Sequence, residues 1–165
     1  MYKKRVHPES ELVRREWTVR LMDLPPEVLN RRKKLLRWVA LSLGLISPGE
    51  ERTGILDVLD ALFYYTYTKG VEPTAQDILD FVNKRRIERG EKPVVLEAVR
   101  YHLRRLEAAD IIEKTKGRGS TYRFTRGSMD SIGDPAAFVG RVFDDIFRSK
   151  ELISEAVRHL ASLYR

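Results

Sequence analysis

Residues 94–109 carry the side chains best suited to contact with a polyanion. Arg100, Tyr101, Arg104 and Arg105 recur with Glu97 at the spacing of one helix face. A guanidinium donates paired hydrogen bonds to a phosphate or to a guanine edge, and a tyrosine contacts a phosphate or a thymine methyl group. The alternative is a solvated helix face whose charges only neighbour one another. If the helix forms, this face is a candidate to contact double-stranded DNA.

More cations precede and follow this stretch. Two β-prone runs over 111–125 are joined by "GRGS", a pattern typical of a hairpin, and they carry Lys114, Lys116, Arg118 and Arg123. Arg118 lies between two glycines, where a flexible tip would bring it to a minor groove. The turn before residue 94 is also basic and suits phosphate contact: Lys84, Arg85, Arg86, Arg89 and Lys92. The alternative for the hairpin is an edge whose lysines discourage aggregation.

The elements that position these residues follow from spacing and capping. Leu96, Val99, Leu103 and Leu106 form the buried side of a helix over 94–109. Thr74 and Asp77 predict a capped helix to about residue 86. The stretch "SPGE" suggests a helix over about 48–67, with Ser47 as the cap, Pro48 in the first turn and Glu50 as its partner.

The two ends of the chain also carry helical patterns. Residues 26–44 predict one helix with Pro26 in its first turn and Gly44 at its end. Residues 16–22 alternate apolar and polar side chains as a strand does, although a short helix over 9–16 is an alternative. At the C-terminus, Asp134 and Pro135 predict a helix, and Ser149 is expected to cap a second one that ends near residue 164.

An enzyme is not expected. The chain of 165 residues has no cysteine, and the "GRGS" loop lies within a hairpin rather than between a strand and a helix. Asp144 and Asp145 are consecutive helical positions, which point about 100° apart. The three histidines lie far apart in the sequence: His7, His102 and His159. We therefore expect no catalytic residue, no metal and no cofactor, with His102 packing or hydrogen bonding beside its helix.

Charge is concentrated in two regions. The net charge is +7, and residues 1–47 hold 11 basic against 5 acidic side chains, while residues 71–127 hold 13 against 9. Such a balance favours polyanionic partners. No apolar run is long enough to cross a bilayer and no signal peptide is evident, so we expect a cytoplasmic protein without membrane contact. Abundant charge without cysteine is also typical of archaeal or thermophilic proteins.

The strip "VRYHLRRLEAADIIEKTKGRGSTYRFT" resembles the recognition helix and wing of prokaryotic winged helix-turn-helix regulators. Arsenic-repressor-like, MarR-like and PadR-like proteins share its apolar residue before "HL", its basic pair, "LE", an apolar pair and a basic wing. Two departures are present: Asp110 replaces the usual glycine, and the turn between the second and third helices is long. Asp tolerates a left-handed conformation better than most residues.

The resemblance implies a mainly α fold with a β-hairpin wing. Residues 47–127 would be the winged helix-turn-helix domain, 1–46 a basic N-terminal extension, and 128–165 a C-terminal helical pair suited to dimerisation. Helix 94–109 would enter the major groove and wing 111–125 would contact the backbone or minor groove. The expectation is a homodimeric transcriptional regulator that binds specific DNA sequences. The alternative is a winged-helix module for protein–protein interaction in a transcription, replication or segregation assembly.

Overall fold

The computed structural model describes residues 8–117, 119–126 and 133–164, and these are mainly helical. They form seven α-helices, a π-helical segment and one antiparallel sheet of two strands. The mainly α class with a small β-hairpin, expected from the sequence, is therefore confirmed. The chain divides into two compact units, Met1–Glu50 and Glu51–Arg165.

The first unit holds α1 (Glu9–Leu12), α2 (Pro26–Leu29) and α3 (Arg32–Ser42). The single helix expected over 26–44 is wrong, because Arg31 is extended with φ −122° and ψ 111°. The end of α3 does follow the sequence. Gly44 has φ +70°, and Leu45 N–H donates to the carbonyl of Ala40 at 2.9 Å, the closing bond of a Schellman motif.

Residues 13–25 form neither helix nor strand, so the strand expected at 16–22 is wrong. The backbone N–H of Arg20 donates to the carbonyl of Ser42 at 2.9 Å. Its guanidinium donates to the carbonyls of Leu41 (2.6 Å) and Ile46 (2.9 Å). A cation at the C-terminal end of a helix satisfies carbonyls that have no partner within the helix. Through Arg20, the segment 13–25 therefore caps α3 instead of pairing with another strand.

The second unit begins with α4 (Gly54–Phe63), which continues as the π-helical segment Tyr64–Lys69 and stops at Gly70. The prediction that this helix starts at about residue 48 is wrong, because the helix begins at Gly54. Ser47 N–H does donate to the Glu50 carboxylate at 2.8 Å, as a capping box requires. However, Gly49 has φ +76°, which interrupts right-handed helix, so "SPGE" forms a turn instead.

The next two helices agree with the sequence. In α5 (Ala75–Glu88), Asp77 N–H donates to Thr74 Oγ1 at 3.1 Å and Thr74 N–H donates to the Asp77 carboxylate at 2.9 Å. This reciprocal pair is the predicted capping box. In α6 (Leu96–Ala108), Val99, Leu103 and Leu106 are buried, as their spacing predicts.

The hairpin pairs β1 (Ile112–Thr115) with β2 (Thr121–Phe124) in the register Ile112↔Phe124 to Thr115↔Thr121. Asp110 adopts the expected left-handed conformation, with φ +59°. The hairpin is anchored on its other side, because Tyr122 N–H donates to the carbonyl of Pro73 at 2.9 Å. Tyr122 is buried.

The C-terminal region forms one continuous helix, α7 (Ala137–Ser162), so the break expected at Ser149 is wrong. No glycine or proline follows Gly140, and the Ser154 hydroxyl bonds back to the carbonyl of Lys150 within the helix. Phe138 and Val142 are buried. Beyond Ile146, no described residue of α7 is buried. The second half of this helix therefore presents its apolar side chains to solvent.

Candidate nucleic-acid interface

The outer face of α6 collects the side chains predicted to contact base edges. Glu97, Arg100, Tyr101 and Arg104 are exposed, and Arg105 is half-buried with its guanidinium 6.0 Å from the centre of the Tyr101 ring. This arrangement follows from the buried stripe of Val99, Leu103 and Leu106, because the side of α6 opposite to the stripe faces outward. The structure thus brings these five residues together on one face.

Glu97 neutralises part of this face. Its carboxylate lies 3.2 Å from the Arg104 guanidinium and 3.8 Å from that of Arg100. All three side chains are more than half exposed, at 52–67%. Exposed pairs of this kind contribute about 0–1 kcal/mol. Both guanidiniums can therefore exchange the carboxylate for a phosphate or a base at little cost.

The hairpin adds exposed cations beside α6. Lys114 and Lys116 are exposed, and the Lys114 ammonium lies 6.0 Å from the centre of the Tyr122 ring. Arg123 differs, because its guanidinium donates to Glu113 at 2.7 Å and lies 3.7 Å from Glu72. The hydrogen bond to Glu113 raises the pKa of Arg123 above the usual value for an arginine. Arg118, predicted at the tip, lies outside the described residues.

Arg86, in the last turn of α5, and Arg89, directly after that helix, hold the turn before α6 together. Asp57, on α4, accepts from Arg86 and from Arg89 at 3.0 Å each. Arg86 also donates to the carbonyl of Lys92 at 2.7 Å, and Glu91 pairs with both arginines at 3.1–3.2 Å. The pKa of Arg89 is raised, chiefly by its hydrogen bond to Glu91. Carboxylates engage both arginines in the structure. The phosphate contact predicted for them remains a prediction.

Asn83 makes a second connection across the same turn. Its side-chain carbonyl accepts from Val94 N–H at 2.8 Å, and its amide donates to the carbonyl of Val94 at 3.0 Å. Both groups of Val94 are thereby satisfied two residues before α6 begins. Together, Asp57 and Asn83 fix a turn that is longer than in a compact helix-turn-helix.

His102 lies on the inner flank of α6. It is half-buried, and a Cβ placed on Gly54 would lie only 2.5 Å from its Nε2, so the ring packs directly on the start of α4. Burial lowers the pKa of His102, and the nearby Arg105 lowers it further, against an opposing effect of Asp57. The packed imidazole agrees with the packing role expected from the sequence.

Two features of this region were not predicted from the sequence. Asp57 is one acidic residue among the apolar positions of α4, and its partners lie 29 and 32 residues away. Its position within an apolar helix was the available signal, because a half-buried carboxylate needs a partner. The second feature is Arg85, which belongs to α5 and not to the turn before α6. Its guanidinium lies 5.1 Å from the centre of the Phe81 ring.

Neither a family model, nor a curated protein, nor a solved structure matches this chain. Within residues 8–117, 119–126 and 133–164, no three His, Asp or Glu side chains are grouped so that they could hold a metal ion. The helices in those ranges are also too short or too polar to cross a membrane.

The connection between Asn83 and Val94 can be tested by removing the amide. We expect Asn83→Ala to lower the free energy of unfolding by about 1–3 kcal/mol, because it leaves two half-buried backbone groups without a partner. Urea denaturation measures this loss. Hydrogen exchange at the Val94 amide should accelerate by more than the global destabilisation explains. Gln76→Ala is the matched control, since Gln76 is an exposed side chain of the same helix and its amide donates to the exposed Asp80. Equal stability of the two variants would contradict this role for Asn83.

Proposed function

We propose that the second unit is a winged-helix module that binds double-stranded DNA and acts as a transcriptional regulator. The observation that carries the proposal is the exposed face of α6 with Arg100, Tyr101, Arg104 and Arg105, next to a lysine-bearing hairpin. A helix of 13 residues is about 20 Å long, and B-DNA admits a helix in its major groove, which is about 12 Å wide.

In this proposal the two cation groups have different tasks. Arg100, Arg104 and Arg105 read base edges, because a guanidinium matches the two acceptors of guanine. Lys114 and Lys116 contact phosphates, which set the position of the module without reading sequence. Glu97 keeps the arginines in place before binding and releases them to the duplex. The half-buried Asp57 carboxylate fixes the turn that leads into α6.

The proposed DNA binding is tested by removing the three arginines together. We expect Arg100→Ala, Arg104→Ala and Arg105→Ala in one chain to weaken binding to a fluorescent duplex by at least about 100-fold, since each lost contact is worth about 1–3 kcal/mol. Fluorescence anisotropy measures the affinity, and circular dichroism checks the fold. The control variant, Arg14→Ala, Arg32→Ala and Arg37→Ala, removes the same charge from the first unit. If the folded triple variant of α6 binds like the control, the duplex does not contact α6.

We further propose that the protein is a homodimer formed through the second half of α7. Ile153, Val157 and Leu160 are 54–60% exposed. At 100° per residue they fall within about 60° of one another around the helix. An exposed apolar stripe of this kind marks an interaction surface. A second copy suits a DNA-binding protein, because two-fold operators require paired half-sites.

Light scattering tests this dimer. We expect the native chain to have about twice the mass of one 19.2 kDa chain. The double variant Ile153→Glu and Leu160→Glu should be a monomer, because burying two carboxylates in an apolar interface is unfavourable. Glu155→Gln is the control on the opposite, polar face of α7. A native monomer would contradict the dimer and favour the alternative function, a module whose α7 stripe binds a different protein.

A further inference from the structure

A groove on the second unit lies between the π-helical segment and α5, and none of its lining residues belongs to α6 or to the hairpin. Its volume is about 460 Å³, within the range of sites that hold small ligands. Tyr64, Tyr65 and Lys69 of the π-helical segment form one wall, and Phe81, Lys84 and Arg85 of α5 form the other. π-Helical turns are rare and are often found at functional sites.

Three aromatic rings line this groove. The centres of the Tyr64 and Phe81 rings are 4.7 Å apart, and Tyr65 lies edge-on to Tyr64 at 5.4 Å. The Tyr65 hydroxyl donates to the carbonyl of Asp77 at 3.1 Å, which fixes that ring to α5. The Tyr64 hydroxyl has no hydrogen-bond partner among the residues that the structure describes. The groove thus offers apolar ring surface together with one polar group for a ligand.

The cations of the groove are not neutralised by carboxylates. Lys69 lies 6.0 Å over the Tyr64 ring and Arg85 lies 5.1 Å over the Phe81 ring. In the described parts of the chain, Lys69, Lys84 and Arg85 have no carboxylate within 4.0 Å. This contrasts with Arg86, the next residue of α5, which pairs with two. Lys69 and Arg85 thus lie against aromatic rings rather than against carboxylates.

Two acidic residues also line the groove, and they limit the charge of a suitable ligand. Asp80 accepts a hydrogen bond from Gln76 at 2.9 Å, on the exposed side of α5. Glu88 is the other. With three cations against two carboxylates, the lining has a net charge of +1. Such a lining suits a ligand that places one anionic group in the groove.

From these features we infer that the groove binds a nucleotide, with its base against Tyr64 and Phe81 and its phosphate on Lys84 and Arg85. A base that stacks on an aromatic side chain gains about 1–3 kcal/mol, and an arginine adds cation–π attraction. The nucleotide is either a free mononucleotide or one unit of a single strand. This site does not depend on the duplex binding proposed for α6.

The test is a titration of the full chain with AMP, followed by NMR. We expect AMP to shift the aromatic resonances of Tyr64, Tyr65 and Phe81, and the double variant Lys84→Ala with Arg85→Ala to weaken AMP binding by about tenfold or more. Lys33→Ala with Lys34→Ala is the matched control, because it removes the same charge from exposed positions of α3. Adenosine and inorganic phosphate, each with half of the recognised chemistry, should bind at least about tenfold more weakly than AMP.

Three results would overturn the inference. These are a failure of AMP to shift the groove resonances, equal affinities of the two double variants, and phosphate binding as tight as that of AMP. A short single-stranded oligonucleotide distinguishes the sources: tighter binding than AMP assigns the site to a strand, and weaker binding assigns it to the free nucleotide. The α6 triple variant should bind AMP like the native chain, so the two proposals can fail separately.

Discussion

The placement of α6 depends on one half-buried carboxylate, that of Asp57. A carboxylate removed from water requires compensation, and Asp57 obtains it from Arg86 and Arg89 at 3.0 Å each. These two bonds connect the start of α4 to the end of α5, and Arg86 extends the connection to the carbonyl of Lys92. Asn83 then holds Val94 directly. A turn that would otherwise be free to move becomes a fixed support for the helix that follows it.

The same physics sorts the cations of the second unit into two groups. Where a guanidinium is partly buried, as in Arg86, it has carboxylate partners and serves the fold. Where it is exposed, as in Arg100 and Arg104, its carboxylate partner among the described residues is the equally exposed Glu97, and the attraction is weak. Lys114 has an aromatic ring beside it and no carboxylate in the described ranges. Net charge alone does not make this distinction, because it depends on burial and on the distance to an acid.

Local sequence signals predicted those elements whose determinants lie close together in the chain. The Thr74–Asp77 box, the buried stripe of α6 and the hairpin are of this kind. The same capping signature failed at Ser47–Glu50, because the left-handed Gly49 turns the chain before a helix can start. Ser149 did not end α7, since a serine within a helix can turn to solvent or bond back to the preceding turn. The ion pairs of Asp57 and the groove were not predicted, because the residues that form them come together only when the helices pack.

The most direct test of DNA recognition by the α6 face is the salt dependence of duplex binding by the native chain. A protein that neutralises phosphates releases counterions, so its affinity falls as salt rises. For about six to ten phosphates per dimer, the logarithm of the affinity should fall against the logarithm of the salt concentration with a slope of about −5 to −9. Anisotropy titrations at several salt concentrations measure this slope. A slope near zero, or no binding even at low salt, would contradict the account, and the α6 face would then be a surface for another partner.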